Sequence, residues 1–347
     1  MWKKKLHLDY IVAAAFMVFA FITNERLNDI TNALIANRKA MLPIEKHSYG
    51  QKKILEKEIF HEYASKRIND LKKDTDERSQ EVLNFVLQCI ENNFLERCYF
   101  EKSSPVSLPN YMLEHEEKWL SEKPVTINQP ILLERKEIHP EASYFHHGLR
   151  FANQKIRDYV QHKDIIDGGA CDGDSLLVLR DYTDKTVFCY EFSHENAKKF
   201  QKLMDANNIH FGYELINKAL GDESKLIKCP NCTGGDCRIF ATSDENTITM
   251  EMTSIDDEVK KHKANIGFIK IDVEGAGFSV IKGAINTIKS QRPVLSLAIY
   301  HNNQELFGIK PFLEKHLVDY VYEFHLNQFS PTIVELTLFC YPKELAM

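Results

Sequence analysis

Residues 164–175 read DIIDGGACDGDS, and residues 186–200 read TVFCYEFSHENAKKF. The first stretch holds a short apolar run that ends at Asp167, then a loop with glycines at 168, 169 and 173, then a helical pattern. The second holds another apolar run, which ends at Glu191. This order predicts a strand, a tight glycine loop, a helix and a second strand.

The glycine loop and Glu191 together predict a nucleoside site. Glycine lets a backbone turn sharply and lie close to a ligand, and the N–H groups at the start of a helix favour an anionic group. An acid at the end of the next strand is placed to bind the hydroxyls of a ribose. The spacing is not the Gly-x-Gly-x-x-Gly of dinucleotide sites. It reads Asp167-x-Gly169-x-x-x-Gly173, which resembles motif I of class I methyltransferases that use S-adenosylmethionine.

Length and composition limit the class of protein. A chain of 347 residues has room for one large α/β domain and a smaller element. The formal charge of −6 disfavours a general nucleic-acid binder. Eight irregularly spaced cysteines do not resemble a disulfide framework, so we expect a reducing, cytoplasmic compartment.

The N-terminal segment, residues 1–24, combines a basic start with the apolar run Tyr10–Ile22. This run is shorter than the roughly 20 residues of a membrane-spanning helix. Three interpretations stay open: a buried or oligomer-forming helix, a membrane-contacting anchor, and a cleaved signal peptide.

Residues 25–140 are expected to form a helical region and a linker. Apolar residues at helical spacing indicate amphipathic helices up to about residue 120. Prolines break up residues 102–140, which predicts an irregular connection there. The adjacent His146 and His147 make poor joint metal ligands, so we expect them to serve packing or substrate contact.

Residues 141–347 alternate strands with helices. Strands are expected at 214–219, 264–272 and 293–300, and helices at 194–207, 276–289 and 304–317. The segments 320–326 and 332–341 are expected to form an antiparallel hairpin. Such alternation predicts a parallel sheet with helices on both faces, with ligands beyond the carboxyl ends of its strands. Asp167, Glu191, Asp272 and His301 fall at those ends.

The segment FIKIDVEGAGFSVIKGAINTI, followed by RPVLSLAIYH, carries a more specific resemblance. It is similar to the FkbM family of S-adenosylmethionine-dependent methyltransferases, whose motifs match here at Lys270, Asp272, Glu274, Gly275, Gly283, Ala284, Arg292, Pro293, Tyr300 and His301. The likeness starts near His146 and also includes Asn217–Gly221 and residues 254–257. It implies a Rossmann-like class I methyltransferase sheet with a C-terminal hairpin, preceded by a mainly helical region.

The resemblance implies methyl transfer from S-adenosylmethionine to a hydroxyl of a sugar, a glycan or glycolipid, or a natural product. The residues expected to bind the donor are Asp167, Gly168, Gly169, Ala170, Gly173, Asp174, Ser175, Glu191, Asn217, Ala219 and Asp272. Among them we expect Gly169 near the methionine part, Glu191 on the ribose and residues 217–219 by the adenine.

Asp272, Glu274 and His301 are the expected catalytic residues. His301 suits a general base because histidine titrates near neutrality; the alternative is a hydrogen-bonded core histidine. Asp272 is alternatively a partner of the donor's amino group, and Glu274 a group that only positions the acceptor. The sequence assigns no metal.

Two features depart from the family pattern. The family usually has an acid where Gly277 stands, so activity is expected to be weaker, or the acceptor different, if that acid contacts the acceptor or orients Asp272. Cys229, Cys232 and Cys237 offer three zinc ligands where a structural site needs four. We expect a surface loop with free thiols there.

Two other functions compete with O-methylation: a donor-binding scaffold without chemistry, and an RNA methyltransferase of the same fold. The acidic balance disfavours the second. The partners expected from the sequence are therefore a small-molecule or glycan acceptor and no nucleic acid, with membrane contact through residues 10–22 and a homo-oligomer left open.

Overall fold

The computed structural model describes residues 64–93, 106–121, 139–234, 237–239, 247–330 and 332–347. Residues 64–71 are helical. The α-helices that follow are α1 (Glu77–Asn93), α2 (Asn110–Ser121), α3 (Pro140–Ser143), α4 (Gln154–Gln161), α5 (Asp174–Leu179), α6 (His194–Ala206), α7 (Ile255–His262), α8 (Gly277–Lys282), α9 (Ile285–Gln291) and α10 (Asn303–His316). The strands are β1 (Asp164–Gly168), β2 (Val187–Tyr190), β3 (Tyr213–Ile216), β4 (Ala219–Leu220), β5 (Lys225–Pro230), β6 (Thr247–Thr253), β7 (Ile266–Ile271), β8 (Val294–Ala298), β9 (Tyr320–Leu326) and β10 (Leu336–Pro342). Short 3₁₀ turns lie at His146–Gly148, Arg180–Tyr182 and Lys343–Leu345.

The main sheet has seven strands in the order β3-β2-β1-β7-β8-β10-β9. The first five are parallel, and β10 runs antiparallel to both β8 and β9. The order reverses between β1 and β7, where crevices for ligands form in such sheets. The α/β class, the Rossmann-like sheet and the C-terminal antiparallel hairpin are therefore confirmed.

Two apolar layers cover the faces of this sheet. Successive strand residues point to opposite faces, so Ile166 packs into a core with α1 and α7 to α10. Ile165 packs into another core with α4, α5 and α6. Both layers hold the strands rigidly, which fixes the positions of the loops at their ends.

The helical N-terminal region packs on the hairpin side of the sheet. The backbone N–H of Phe324 in β9 donates to Ser79 Oγ at the start of α1 (2.8 Å), and Lys310 Nζ donates to the carbonyl of Lys73 (3.1 Å). Residues 110–121 are helical, as the helical spacing up to about residue 120 predicts, so the irregular connection predicted for 102–140 does not hold over these residues. The apolar run 10–22 lies outside the described residues. Among the helices that are described, none has the length and apolarity to cross a membrane.

Two elements differ from the prediction because of contacts between distant segments. The strand expected at 214–219 stops at Ile216, and Ala219–Leu220 joins β5 and β6 in a separate three-stranded sheet. The helix expected at 276–289 is split into α8 and α9. A Cβ on Gly283, between them, would lie 2.1 Å from the carbonyl oxygen of Gly221, so the break brings the small sheet close to the main one.

Candidate active site

A cavity of about 1100 Å³ opens at the carboxyl ends of β1, β2, β7 and β8. Its lining comes from the loops after these strands, the small sheet and the hairpin turn. The described lining residues include Glu141, His147, Gly169, Cys171, Asp174, Ser175, Glu191, Lys218, Ala219, Leu220, Cys237, Arg238, Lys270, Asp272, Glu274, Tyr300, His301, Asn302 and Glu335. The cavity thus lies where the sequence places its ligand.

The glycine loop after β1 is fixed by packing against the end of β7. Gly169 has a φ of +82°, and a Cβ there would lie 1.7 Å from the carbonyl oxygen of Asp272. Lys270 Nζ donates to the carbonyl of Gly169 (2.8 Å) and lies 3.0 Å from Asp167 Oδ1. Burial opposes the charge of Lys270, but Asp167 and Asp272 outweigh it and raise the pKa of the lysine above its usual value. Asp167 therefore stabilises the glycine loop through Lys270, which contacts both the Asp167 carboxylate and the Gly169 carbonyl.

Glu191, directly after β2, lines the cavity. Its Oε2 accepts the backbone N–H of Cys171 (2.9 Å), and its Oε1 accepts that of Ser193 (2.6 Å). The side chain is buried. Burial raises the pKa of Glu191 to about 7, against the opposing effect of the two N–H groups. The side chain of Asn196 is a third donor to this carboxylate. A carboxylate has about four acceptor positions, so one is left for a further donor.

The segment after β3 supports this wall. Asn217 Nδ2 donates to the carbonyls of Glu191 (2.6 Å) and Phe192 (3.1 Å). Ala219 and Leu220 then line the cavity. Asn217 therefore holds the Glu191 loop, while its neighbours provide an apolar surface.

Three side chains meet at the ends of β7 and β8: Asp272, Glu274 and His301. We call them the acid–histidine cluster. His301 Nε2 lies 3.3 Å from Asp272 Oδ1 and 3.6 Å from Glu274 Oε1. Burial disfavours a charged ring, but the surrounding carboxylates outweigh it and raise the pKa of His301 well above its usual value. Burial likewise acts to raise the pKa of Asp272, but His301 and Lys270 lower it below its usual value.

Glu305, which was not predicted as a site residue, completes this arrangement from beneath. Its Oε2 lies 3.0 Å from His301 Nδ1, and its Oε1 accepts the backbone N–H of Gly277 (2.8 Å). The Glu305 side chain is 1% exposed. A Cβ on Gly277 would lie 2.8 Å from the same Oε1. The carboxylate of Glu305 therefore fills the space beside Gly277, the position where the family usually has an acid.

Two more carboxylates line the cavity near the hairpin turn. Tyr300 Oη donates to Glu335 Oε1 (2.9 Å). Burial and the charge of Asp272 raise the pKa of Glu335 to about 8, and burial raises that of Glu141 well above its usual value. This end of the cavity, which we call the outer end, is therefore rich in carboxyl groups and poor in cations.

The adjacent histidines are separated by the backbone. His146 and His147 have φ values of +48° and +53°; His146 Nδ1 lies 2.7 Å from Tyr182 Oη, whereas His147 lines the cavity. Burial lowers the pKa of His147 to about 3. Cys229, Cys232 and Cys237 are free thiols, and Cys237 faces the cavity.

The structure brings most of the expected site residues to one cavity. Gly169, Asp174, Ser175, Glu191, Ala219, Asp272, Glu274 and His301 line it. Asp167, Gly168, Ala170, Gly173 and Asn217 support the lining from behind it. The sequence reasoning missed Glu141, Glu305 and Glu335. The sequence gives an indication only for Glu305, which follows His301 by four residues at the start of a helix, a spacing at which two side chains can meet.

The parallel sheet, its antiparallel hairpin and the cavity at the strand ends define a class I methyltransferase fold. Residues 167–329 match the family model of the methyltransferase FkbM domain. This part of the chain is therefore an FkbM methyltransferase domain, and the resemblance seen in the sequence is confirmed. No curated protein matches the chain.

One of three similar solved structures shares the fold. Methyltransferase FkbM from Methylobacillus flagellatus KT matches with a TM-score of 0.53 and 20% identity, over 80% of this chain and 59% of that one. SMU.1697c from Streptococcus mutans, in complex with SAH, matches with a TM-score of 0.34 and 12% identity, over 53% of this chain and 93% of that one. A methyltransferase from Geobacter sulfurreducens gives a TM-score of 0.36 and 10% identity, over 69% and 91%. Only the first of these three scores indicates a shared fold.

Proposed function

We propose that the chain is an S-adenosylmethionine-dependent O-methyltransferase that acts on a hydroxyl of an uncharged, polyhydroxylated acceptor such as a sugar or glycan. One observation carries the proposal. Within the described part of the chain, the carboxylate of Glu191 and the acid–histidine cluster line the same cavity. The FkbM methyltransferase domain over residues 167–329 supports the same reaction class.

The residues around Glu191 fit the adenosyl part of such a donor. The two oxygens of Glu191 are oriented by backbone N–H groups and by the side chain of Asn196, and the remaining acceptor position is available to a ribose hydroxyl. Ala219 and Leu220 offer an apolar surface for the base. Gly169 and Asp174 lie between Glu191 and the acid–histidine cluster, on the path expected for the methionine part.

The chain's own residues position the acceptor and receive its proton. When bound, the donor supplies a methyl group on a positively charged sulfur. The reaction forms a carbon–oxygen bond, leaves an electron pair on the sulfur and releases the hydroxyl proton. Asp272, Glu274 and His301 face the cavity together, so we assign all three to orient the hydroxyl. The carboxylates of Asp272 and Glu274 take up its proton, because the surrounding carboxylates raise the pKa of His301 and keep its ring protonated.

The charges of the cavity select the kind of acceptor. Six carboxylates and three cationic side chains line its described part, and Lys270 among the three is held by Asp167. A phosphate-rich acceptor would meet few cations there to bind its phosphates, whereas carboxyl groups form hydrogen bonds with hydroxyl groups whether they are ionised or protonated. This argues for a glycan or a similar polyol over RNA.

A labelled-methyl assay tests the proposal. The full chain is incubated with the labelled donor and separate pools of glycans, glycolipids and RNA. We expect label in the glycan or glycolipid pool and a loss of roughly 100-fold or more in Asp272→Asn. Label in RNA alone would contradict the acceptor class. Donor binding without label in any pool would favour the scaffold function instead.

A further inference from the structure

The acid–histidine cluster has the composition and spacing of a cation site. One ligand atom from each of Asp272, Glu274 and His301 lies within 4.8 Å of the others. The two shorter separations, 3.3 Å and 3.6 Å, both involve His301 Nε2. Such separations suit three ligands that share one ion at about 2.0–2.3 Å each.

His301 is held in the manner of a metal ligand. Its side chain is 3% exposed, and among the described residues its Nε2 has no hydrogen-bond partner of good geometry. The other ring nitrogen, Nδ1, faces Glu305 Oε2 at 3.0 Å. A carboxylate that accepts the Nδ1 proton fixes the tautomer and leaves the Nε2 lone pair free, which is the usual support of a metal-bound histidine.

Glu274 reaches the cluster through unusual backbone. Its φ is +50°, and that of the following Gly275 is +98°. A non-glycine residue in this region is strained, and such strain is common at functional sites. Here it brings a second carboxylate to His301 Nε2, where two negative charges without a cation would repel each other.

Two cationic side chains in the described part of the chain lie near this pair, and each also has a position of its own. Lys270 Nζ lies on Asp167 and on the carbonyl of Gly169. Arg238 Nε lies 3.9 Å from Oε2 of Glu274, the oxygen that does not approach His301 Nε2.

We propose that Asp272, Glu274 and His301 bind one divalent cation through two carboxylate oxygens and one imidazole nitrogen. The remaining positions face the cavity and are open to water or to an acceptor oxygen. An imidazole ligand favours a transition metal such as Mn²⁺ or Zn²⁺ over Ca²⁺. The cation's role rests on the proposed function: it would lower the pKa of the coordinated acceptor hydroxyl, which then releases its proton to water in the cavity and becomes a nucleophile. This release would replace direct proton uptake by Asp272 and Glu274. Glu305 is the positioning residue of this site.

Titration of the full chain with Mn²⁺ alone tests the proposal, with the paramagnetic resonance signal of free Mn²⁺ as the readout. We expect one site in the wild-type chain. Affinity should fall by roughly 100-fold or more in His301→Gln and in Asp272→Asn, and by about 10–100-fold in Glu305→Gln. Glu335→Gln is the matched control, because it removes a carboxylate from the same cavity outside the cluster, and it should change the affinity less than about twofold.

Three results would overturn the cation site: no Mn²⁺ binding to the wild type, binding that survives both ligand substitutions, or an equal loss in Glu335→Gln. Thermal unfolding shows which variants fold, and the partly exposed Glu274→Gln replaces any that do not. Binding of S-adenosylmethionine, measured on the same samples without metal, separates the two proposals. Donor binding without Mn²⁺ binding removes only the cation site; Mn²⁺ binding without donor binding removes only the proposed donor.

Discussion

Replacing Gly277 by alanine should destabilise the protein, although the residue begins a helix. Glycine to alanine in a helix normally stabilises by about 0.5–1 kcal/mol. Here the new Cβ would lie 2.8 Å from Glu305 Oε1, and that carboxylate is buried and cannot retreat into solvent. Losing its bond to the Gly277 N–H would cost about 1.5–3 kcal/mol. The expected net loss is therefore about 1–2 kcal/mol.

Urea unfolding of Gly277→Ala, Glu305→Gln and the double variant measures this contact, because a double-mutant cycle isolates the interaction between neighbours. Gly308→Ala is the control. Gly308 lies inside α10, and a Cβ there would meet nothing closer than Phe278 at 3.5 Å, so alanine should stabilise. The reasoning is refuted if Gly277→Ala stabilises the protein as much as Gly308→Ala does.

Three further predictions concern the loop after β1 and the two raised carboxyl groups. Gly169→Ala should cost about 3 kcal/mol or more in urea unfolding, because its Cβ would overlap the Asp272 carbonyl. Gly212→Ala, also at positive φ but with no atom within 4 Å among the described residues, should cost only about 1–2 kcal/mol. Burial raises the pKa of Glu335 to about 8, so the folded protein holds this proton more tightly than the unfolded chain does. The free energy of unfolding of the wild type should therefore fall relative to that of Glu335→Gln between about pH 5 and 8, on the order of 3 kcal/mol. Parallel stability curves for the two proteins would contradict this. Because the pKa of Glu191 is raised to about 7, donor affinity measured by calorimetry should rise up to about 10-fold from about pH 6 to 8, and a flat profile would show that the ionised form is not needed.

The strands β1, β2 and β7 were predictable because each is a short apolar run with an acid at its end or directly after it. Such runs are buried on both faces in a parallel sheet, and this is why Asp167, Glu191 and Asp272 could be placed at its carboxyl edge from the sequence alone. Helix caps were also predictable, because they depend on residues that are close in the sequence. Ser193 accepts the N–H of Asn196 at the start of α6, as its position before that helix predicts.

Features that depend on contacts between distant segments were not predictable. The break at Gly283 arises because the Gly221 turn approaches it, and no pattern within residues 276–289 shows that approach. The contacts of Glu305 also depend on a distant segment. Helical spacing indicates that it can reach His301, but only the fold shows that its other oxygen accepts the N–H of Gly277.

Roles inside the cavity were partly predictable. The sequence places Asp167 among the donor-binding residues, and the structure puts its carboxylate against Lys270 beneath the loop. The outer end of the cavity, with Glu141 and Glu335, combines segments almost 200 residues apart in the chain, which short motifs do not relate.

Calorimetric titration with S-adenosylmethionine is the most direct test of the proposed nucleoside site at Glu191. The wild-type chain should bind the donor, and Glu191→Ala should weaken binding by about 10-fold or more, since a hydrogen bond to a charged group contributes about 1.5–3 kcal/mol. Glu195→Ala, an exposed substitution at the start of α6, should bind as the wild type does. Equal affinities of all three proteins, or no binding by the wild type, would contradict the account.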